Sequence, residues 1–407
     1  MEKSRKKLPA GWEMKTLGEI AEIKGGKRIP KGCSLEIKPT NYPYIRVSDF
    51  NDNGSVDIKD IHYITKEIHS LIKNYTISTN DLYISIAGTI GKTGIIPKVL
   101  DGANLTENAC KLVLKKDIDN KFVYYFTKSD EFITQAGFNT RVTAMPKLAL
   151  NRLSTIKILI PPLSEQQRIV AKLDEAFAEI AAAKANIERN LQNCKEVFQC
   201  ALTNELYPKK DWLKMKLKDV CSKITDGTHQ TPKYFDEGFI FLSSRNVTSG
   251  IIDWKNIKYI DEKQHIEMQK RVSPQIGDIL LAKNGTTGVA AIVDKDIPFD
   301  IYVSLALLRP LNIVNPLYFL HFVNSPIAKE QFNKRLKGIG VPNLHLEEIR
   351  EVLIAFPKSL SEQHKIVTRL NELKEQTEQA EQFYQQKLSS LEELKKSILQ
   401  KAFSGEF

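Results

Sequence analysis

The residues that first suggest chemistry form a glycine-bounded segment that ends in Gly91-Lys92-Thr93. A phosphate-binding loop with this ending wraps a nucleotide's phosphates in backbone N–H groups and needs glycine at its first position. Ile86 stands at that position, and a similar segment later in the chain has Thr286 where Lys92 stands. The sequence therefore favours a turn between strands, or a loop that approaches phosphate, over a nucleotide site.

Two further short patterns resemble catalytic motifs without completing them. Asn41-Tyr42-Pro43-Tyr44 resembles the Asn-Pro-Pro-Tyr of amino-methyltransferases, but it lacks the first proline, and no glycine-rich cofactor loop accompanies it. Glu36-Ile37-Lys38 has a nuclease-like spacing without a recognisable acidic partner. No two of the seven histidines lie at metal-ligand spacing. We therefore expect neither catalysis nor a metal site in this chain.

Basic and amide side chains beside predicted turns suggest binding rather than catalysis. Arginine and asparagine can form paired hydrogen bonds with the edges of guanine and adenine, whereas lysine on a glycine-rich loop suits phosphate. Solvated surface charges would give the same pattern. The candidate DNA contacts are Lys27, Arg28, Arg46, Lys92, Arg141, His229, Arg245, Asn246, Lys283 and Lys337.

The elements that must position these residues are short strands and helices. β-Branched and aromatic runs bounded by Gly, Asn and Asp predict strands, and apolar residues at helical spacing predict helices. The predicted strands are 44–47, 82–86, 94–97, 239–242, 279–282 and 288–293, and the predicted short helices are 122–126 and 316–323.

Two much longer helices, which we call the arms, open with the same residues. Leu163-Ser164-Glu165-Gln166 follows Pro161-Pro162 and returns as Leu360-Ser361-Glu362-Gln363, so Ser164 is the predicted N-cap of the first arm. Apolar residues then recur in steps of three and four, as in a coiled coil. Each arm of about 43 residues would be roughly 64 Å long. The predicted coiled-coil interface comprises Val170, Leu173, Phe177, Ile180, Ile187, Leu191 and Phe198 on the first arm, and Ile366, Leu370, Leu373, Tyr384, Leu391, Leu394 and Ile398 on the second.

The repeat extends over nearly the whole chain of 407 residues. It predicts a globular part at 1–160, a central helix at 161–208, a second globular part at 209–358 and a C-terminal helix at 359–407. A net charge of +10 fits a polyanionic partner. Five cysteines without C-x-x-C spacing, and the lack of a long apolar run, lead us to expect a cytoplasmic protein with reduced thiols.

The arm openings, the ending Ala402-Phe403-Ser404-Gly405-Glu406-Phe407, and the segments Gly277-Asp278-Ile279-Leu280 and 338–344 resemble the specificity subunit of type I restriction-modification systems. The resemblance covers residues 12 to 407. It implies an α+β fold with a pseudo-two-fold internal repeat, in which two mixed α/β target recognition domains are joined by two helices paired as an antiparallel coiled coil.

The resemblance also implies a subunit with no catalysis and no cofactor of its own. Each recognition domain would read one half of an asymmetric bipartite site in double-stranded DNA, and the helices would set the spacer. Two modification subunits would methylate adenine with S-adenosylmethionine, and a restriction and translocase subunit would use ATP and Mg. The alternative is a coiled-coil scaffold that joins proteins without reading DNA sequence.

Overall fold

The computed structural model describes residues 9–137, 148–284, 287–336 and 343–407. Their contacts define two compact units. The first unit takes the residues up to Ile187 and those from Gln386 onward, and the second takes Glu188–Gln385. Each unit therefore holds one globular part and a piece of each long helix. Among the described residues no helix is long and apolar enough to cross a membrane.

The first half of the chain forms ten strands, six helices and two 3-10 turns within the described residues. The strands are β1 (Glu13–Thr16), β2 (Ala21–Gly25), β3 (Pro43–Ile45), β4 (His62–Tyr63), β5 (Thr76–Ile77), β6 (Leu82–Ser85), β7 (Thr93–Gly94), β8 (Ala103–Leu105), β9 (Ala109–Leu114) and β10 (Lys157–Ile160). The helices are α1 (Leu17–Ile20), α2 (Lys66–Ile72), α3 (Asn120–Phe126), α4 (Asp130–Ala136), α5 (Leu150–Ser154) and the long α6 (Leu163–Leu206), and the 3-10 turns are Val47–Asp49 and Lys98–Leu100.

The second half repeats most of this order. Its strands are β11 (Leu213–Lys216), β12 (Cys221–Asp226), β13 (Phe239–Leu242), β14 (Lys258–Ile260), β15 (Ile279–Ala282), β16 (Ala290–Ile292), β17 (Phe299–Ile301), β18 (Leu305–Pro310) and β19 (Leu353–Phe356). Its helices are α7 (Leu217–Val220), α8 (Glu262–Arg271), α9 (Pro316–Asn324), α10 (Pro326–Asn333), α11 (Leu346–Arg350) and the long α12 (Leu360–Ser404), with a 3-10 turn at Ser244–Asn246.

The two globular parts share their strand pairing as well as their order. The antiparallel sheet β2-β9-β6-β7 corresponds to β12-β18-β15-β16, and the mixed sheet β4-β3-β8-β5 corresponds to β14-β13-β17. Each mixed sheet contains one parallel pair, β3 with β8 in the first and β13 with β17 in the second. The first and last strands of each part also pair, β1 with β10 and β11 with β19. The predicted duplication of a mixed α/β part is confirmed.

The hydrophobic core of each unit includes the ends of the long helices. In the first unit, the ring of Phe403 from α12 packs on Phe122 and Phe126 of α3, with ring centroids 5.1 and 5.5 Å apart. In the second unit, Leu202 and Leu206 of α6 belong to the buried cluster that contains α9. The C-terminal end of each long helix is therefore part of a globular core, that of the first unit for α12 and that of the second unit for α6.

Within the first unit the two long helices run antiparallel. Arg168 near the start of α6 donates to the carbonyl of Phe407 at 2.7 Å, whereas Lys184 further along pairs with Glu392 of α12 at 3.6 Å. As residue numbers rise on α6, those of the partner fall on α12. The antiparallel pairing predicted by the resemblance is thus present in this unit.

Most of the predicted interface residues are buried or half-buried, but Leu394 is 47% exposed. The place beside Phe177 is taken by Lys395, whose ammonium lies 5.4 Å from the centre of that ring. Leu394 is rotated from Lys395 by about 100° around the helix and points to solvent. Its assignment to the interface was wrong.

A buried glutamine fixes the first turn of each long helix to its globular part. Gln166 is 1% exposed; its oxygen accepts from the N–H of Asp119 at 2.8 Å, and its nitrogen donates to the carbonyls of Asp117 and Pro161. Gln363 is fully buried and makes the matching bonds with Asn315 N–H and the carbonyls of Ile313 and Pro357. One amide thus bonds to three backbone groups in each unit.

Two local expectations were wrong. Helix α6 begins at Leu163, and the carbonyl of Pro162 accepts from the N–H groups of its first turn, so Ser164 lies within the helix rather than capping it. The predicted strand 94–97 is wrong beyond Gly94, where β7 ends, because the N–H of Ile95 bonds to the carbonyl of Gly54 instead of to a neighbouring strand. The predicted short helices 122–126 and 316–323 lie within α3 and α9 and are confirmed.

Replacing Gln166 with alanine should loosen the base of α6. The change leaves the Asp119 N–H and two carbonyls buried without partners, which costs about 1 to 3 kcal/mol. Hydrogen exchange of the intact protein, read at residues 119–123 and 166–173, should show faster exchange of these amides. Gln363→Ala should act likewise on the first turn of α12.

The neighbouring residues supply matched controls, since Gln167 and His364 are exposed on the same helical turns. Gln167→Ala and His364→Ala should change local stability by less than about 0.5 kcal/mol. Equal effects of Gln166→Ala and Gln167→Ala would contradict the role of the buried amide.

Candidate nucleic-acid interface

A glycine turn after the first strand of each antiparallel four-stranded sheet, β2 or β12, presents the earliest candidate contacts. The N–H of Lys27 bonds to the carbonyl of Leu105 on β8, and a Cβ on the preceding Gly26 would collide with the carbonyl of Thr106. The chain must therefore turn close to β8 at this glycine. Lys27 and Arg28 emerge from the turn as exposed side chains.

The two cations of this turn differ in how strongly they are held. Arg28 forms an ion pair with Glu107 at 2.5 Å, while its side chain stays 76% exposed. The ammonium of Lys27 lies 5.6 Å from the centre of the Tyr75 ring. Both are open to solvent, so both remain predicted DNA contacts.

Arg46 is held by the fold. Its guanidinium donates to both carboxylate oxygens of the buried Asp49, at 3.2 and 2.7 Å, and to the carbonyl of Asp60. The N–H of Arg46 also bonds to Asp49, so the pair caps the 3-10 turn that follows. A DNA contact by Arg46 would have to break or share these bonds.

Lys92 lies in the hairpin between β6 and β7. Its ammonium donates to the carbonyl of Phe50 at 2.9 Å and pairs with Asp52 at 3.0 Å. Its own N–H bonds to the hydroxyl of Ser85, and the N–H of Gly91 bonds to the Ser85 carbonyl. These loop amides serve the hairpin, which matches the prediction of a turn rather than a nucleotide loop.

The corresponding hairpin of the second part changes which residue is equivalent to Lys92. There the N–H of Gly288 bonds to the carbonyl of Ala282 just as Gly91 bonds to Ser85. The residue that matches Lys92 is therefore Val289 rather than Thr286. Either way, the lysine belongs to the first part alone.

In the second part, the carboxylate of Asp226 contacts three basic side chains, of which Lys283 and His229 are predicted DNA contacts. Its buried carboxylate lies 3.1 Å from Lys283, 2.5 Å from Arg271 and 3.3 Å from His229. Burial raises the pKa of Asp226, but the hydrogen bonds from Arg271 and Lys283 outweigh it, and the pKa is lowered. Lys283 is only 5% exposed, so its charge serves this cluster, whereas His229 reaches the surface.

A cleft of about 550 Å³ beside β13 holds the exposed Arg245. The adjacent Asn246 is buried; its oxygen accepts from the N–H of Ser243, and its nitrogen donates to two loop carbonyls. Asn246 shapes the turn from which Arg245 projects. Among the described residues, no carboxylate lies within ion-pair distance of Arg245.

Sequence reasoning missed three residues that line this cleft. The ammonium of Lys258 lies 3.8 Å from the centre of the Tyr234 ring, and Tyr302 lines the cleft as well. Aromatic rings interleaved with cations suit nucleic-acid bases and phosphates. No local signal in the sequence joins them, because Tyr234, Lys258 and Tyr302 are far apart in the chain. The two other predicted contacts, Arg141 and Lys337, lie outside the described residues.

Equivalent positions in the two parts carry different chemistry on the same backbone. The ring of Tyr42 stacks on His69 with centroids 4.3 Å apart, and Phe239 stacks on His265 at 3.8 Å. Each histidine bonds at 2.7 Å to the matching strand residue, which is an amide in the first part and the carboxylate of Asp300 in the second. The frame is shared while the polar groups on it change.

A family model described as type I restriction modification DNA specificity domain matches the chain twice, at residues 9–192 and 209–388. The chain belongs to this specificity-domain family. The EcoBI specificity subunit of Escherichia coli is 24% identical over 97% of this chain and 86% of its own length. The MjaVIII specificity subunit of Methanocaldococcus jannaschii is 23% identical over 98% and 93%.

Solved structures share the specificity-domain fold. A chain from a study of complex assembly and conformational transition in the type I R-M system has a TM-score of 0.81 and 21% identity, covering 99% of this chain and 100% of that one. The HsdS subunit from Thermoanaerobacter tengcongensis has a TM-score of 0.61 and 20% identity, with 99% of both chains covered. These likenesses establish the duplicated α+β fold.

Replacing Asp226 with asparagine should destabilise the second unit of this specificity-domain chain. The change leaves the ammonium of Lys283 buried without a counter-charge, which costs about 3 to 5 kcal/mol. Because the pKa of Asp226 is lowered, its contribution is complete above the unfolded-state value of about 3.9 and is lost as the pH falls through the folded-state value. Hydrogen exchange in β12 and β15 measures the loss at neutral pH.

The double variant Asp226→Asn, Lys283→Met tests the cause. Removing both charges should recover much of the lost protection, since an apolar side chain can replace a buried ion pair. A double variant no more stable than Asp226→Asn would contradict a role for the unpaired lysine.

Proposed function

We propose that this chain is the DNA-recognition subunit of a type I restriction-modification system. The observation that supports this proposal is that the specificity-domain family model matches once over each globular part. Each part then reads one half of a bipartite site in double-stranded DNA. The comparisons give no support to the alternative of a scaffold that lacks sequence readout.

The two half-sites differ because the shared frame carries different side chains. The glycine turns put Arg28 in one part where His229 stands in the other, and the 3-10 turns begin after Arg46 and Ser243 respectively. Arginine pairs with guanine, while serine bonds to several bases. An asymmetric site follows from this difference.

In this proposal the catalytic reactions are carried out by partner subunits. Two modification subunits carry S-adenosylmethionine and methylate adenine, and a restriction and translocase subunit carries ATP and Mg. This chain is non-catalytic and directs them to the site. The likeness to a chain from a type I R-M complex supports such an assembly.

The long helices set the spacer in the proposed complex. They contain 44 and 45 residues, which gives each a length of roughly 66 Å at 1.5 Å per residue. Helices held at their bases by buried glutamines suit a fixed distance better than a flexible linker would.

Exchanging residues 12–160 for those of another specificity-domain protein tests the proposal. Methylated adenines, mapped by single-molecule sequencing in cells with and without the gene, should show one half-site changed and the other kept. The reciprocal exchange of residues 212–357 should alter the other half. Sites unchanged in both hybrids, or changed throughout in each, would overturn the modular reading.

Arg245→Ala should weaken DNA binding by the assembled complex. A phosphate contact would show as uniform weakening with the salt slope reduced by about one, whereas a base contact would cost about 1 to 3 kcal/mol at a single base pair. Binding is measured at several salt concentrations on the methylated site and its single-base variants.

Lys358→Ala is the matched control, since this lysine is exposed in the same unit and does not line the cleft. It removes the same charge and should leave the site preference unchanged. Identical binding curves for Arg245→Ala and Lys358→Ala would exclude Arg245 as a contact.

A further inference from the structure

A cavity in the first unit is lined by more lysines than its carboxylates can neutralise. It has a volume of about 250 Å³ and lies where the helix α3 region meets the last turns of α12. At roughly 30 Å³ per water, it has room for several waters or a small anion. The charged and aromatic side chains that matter are Asp52, Tyr124, Lys128, Glu392, Lys395 and Lys396.

Both carboxylates of this lysine cavity are already engaged. Asp52 pairs with Lys92 at 3.0 Å, and Glu392 pairs with Lys184 at 3.6 Å. The nearest cationic partner of each carboxylate is therefore a lysine other than the three that line the cavity. Among the described residues, no carboxylate lies within ion-pair distance of Lys128.

Lys128 is the most enclosed of the three. Its ammonium donates to the carbonyl of Thr93 at a long 3.3 Å and lies 5.1 Å from the centre of the Tyr124 ring. Burial, together with the positive charges of Lys395 and Lys92, lowers the pKa of Lys128 to about 8 against the opposing effect of Asp52. An added anion would therefore stabilise the charged form of Lys128.

We propose that the lysine cavity binds a phosphate group, with Lys128, Lys395 and Lys396 as its cationic ligands. Lysine is a compact point charge whose donors rotate to meet a tetrahedral oxyanion, whereas planar carboxylate recognition favours arginine. No arginine lines the cavity. Resting on the proposed function, the source is a phosphate of the DNA backbone, which would anchor the duplex beside the end of α12.

The anchor should weaken in alkaline solution. Lys128 faces the ionisable groups Asp52, Lys92, Tyr124, Tyr125, Glu392, Lys395 and Lys396. Burial raises the pKa of both tyrosines above its ordinary value, whereas it lowers the pKa of Lys128 to about 8. Its folded-state pKa is depressed, and phosphate affinity should fall as the pH rises through this value.

The test follows the reactivity of Lys128 in the intact protein. Competitive acetylation, read residue by residue by mass spectrometry from pH 6 to 10, gives the pKa of each lysine. Inorganic phosphate, and separately a duplex with the methylated site, should raise the pKa of Lys128 by about 1 to 3. The exposed Lys116 is the internal control and should not change.

Lys128→Met should reduce the salt slope of DNA binding by about 0.9 and leave base preference intact. Lys128→Arg should keep the slope, and Lys116→Met is the control with the same loss of charge. Hydrogen exchange of α3 and α4 checks that Lys128→Met is folded.

The outcomes separate the two proposals. A raised pKa of Lys128 with inorganic phosphate supports the cavity as a phosphate site even if the chain reads no DNA sequence, and an unchanged salt slope would then identify free phosphate as the source. If neither inorganic phosphate nor the duplex alters the reactivity of Lys128, the phosphate site is refuted, whatever the hybrid exchanges show.

Discussion

The buried amides of Gln166 and Gln363 are the constraint on which the rest of the structure depends. A long helix attached by a single peptide bond could pivot about its first turn, since its first N–H groups have no partners within the helix. Each glutamine instead ties that turn to two separate stretches of backbone in the globular part. Over roughly 66 Å of helix, a change of about 5° at the base moves the far end by about 6 Å. A small polar contact thus helps to fix the direction in which a long helix leaves its globular part.

Nearby carboxylates determine which basic side chains of this chain are available to bind a polyanion. The chain carries a net charge of +10, yet Arg46 and Lys283 are held by Asp49 and Asp226. Arg245 projects from the fold without such a partner among the described residues. Net charge therefore says little about where a polyanion would bind, because the cations that can reach it are those the fold leaves unpaired.

The sequence predicted the duplication, the arms and the short helices because these depend on local spacing. It could not predict that Lys283 is buried, because the partner Asp226 is distant in the chain. It also directed attention to the cap at Ser164 rather than to Gln166. Identity between the two copies did not single out the glutamine, since the exposed Ser164 and Ser361 are identical as well. The burial of the amide and its bonds to two stretches of backbone are seen only in the fold.

The first unit is discontinuous in sequence, and this governs when it can fold during synthesis. Its core needs Leu399, Ala402 and Phe403, whereas the second unit is one continuous stretch, Glu188–Gln385. At roughly 5 to 20 residues per second, the ribosome needs about 12 to 49 s between completing the first globular part at residue 160 and making Phe403. During that interval the apolar face of α3 is uncovered. The first globular part is therefore synthesised first, but its hydrophobic core is completed last.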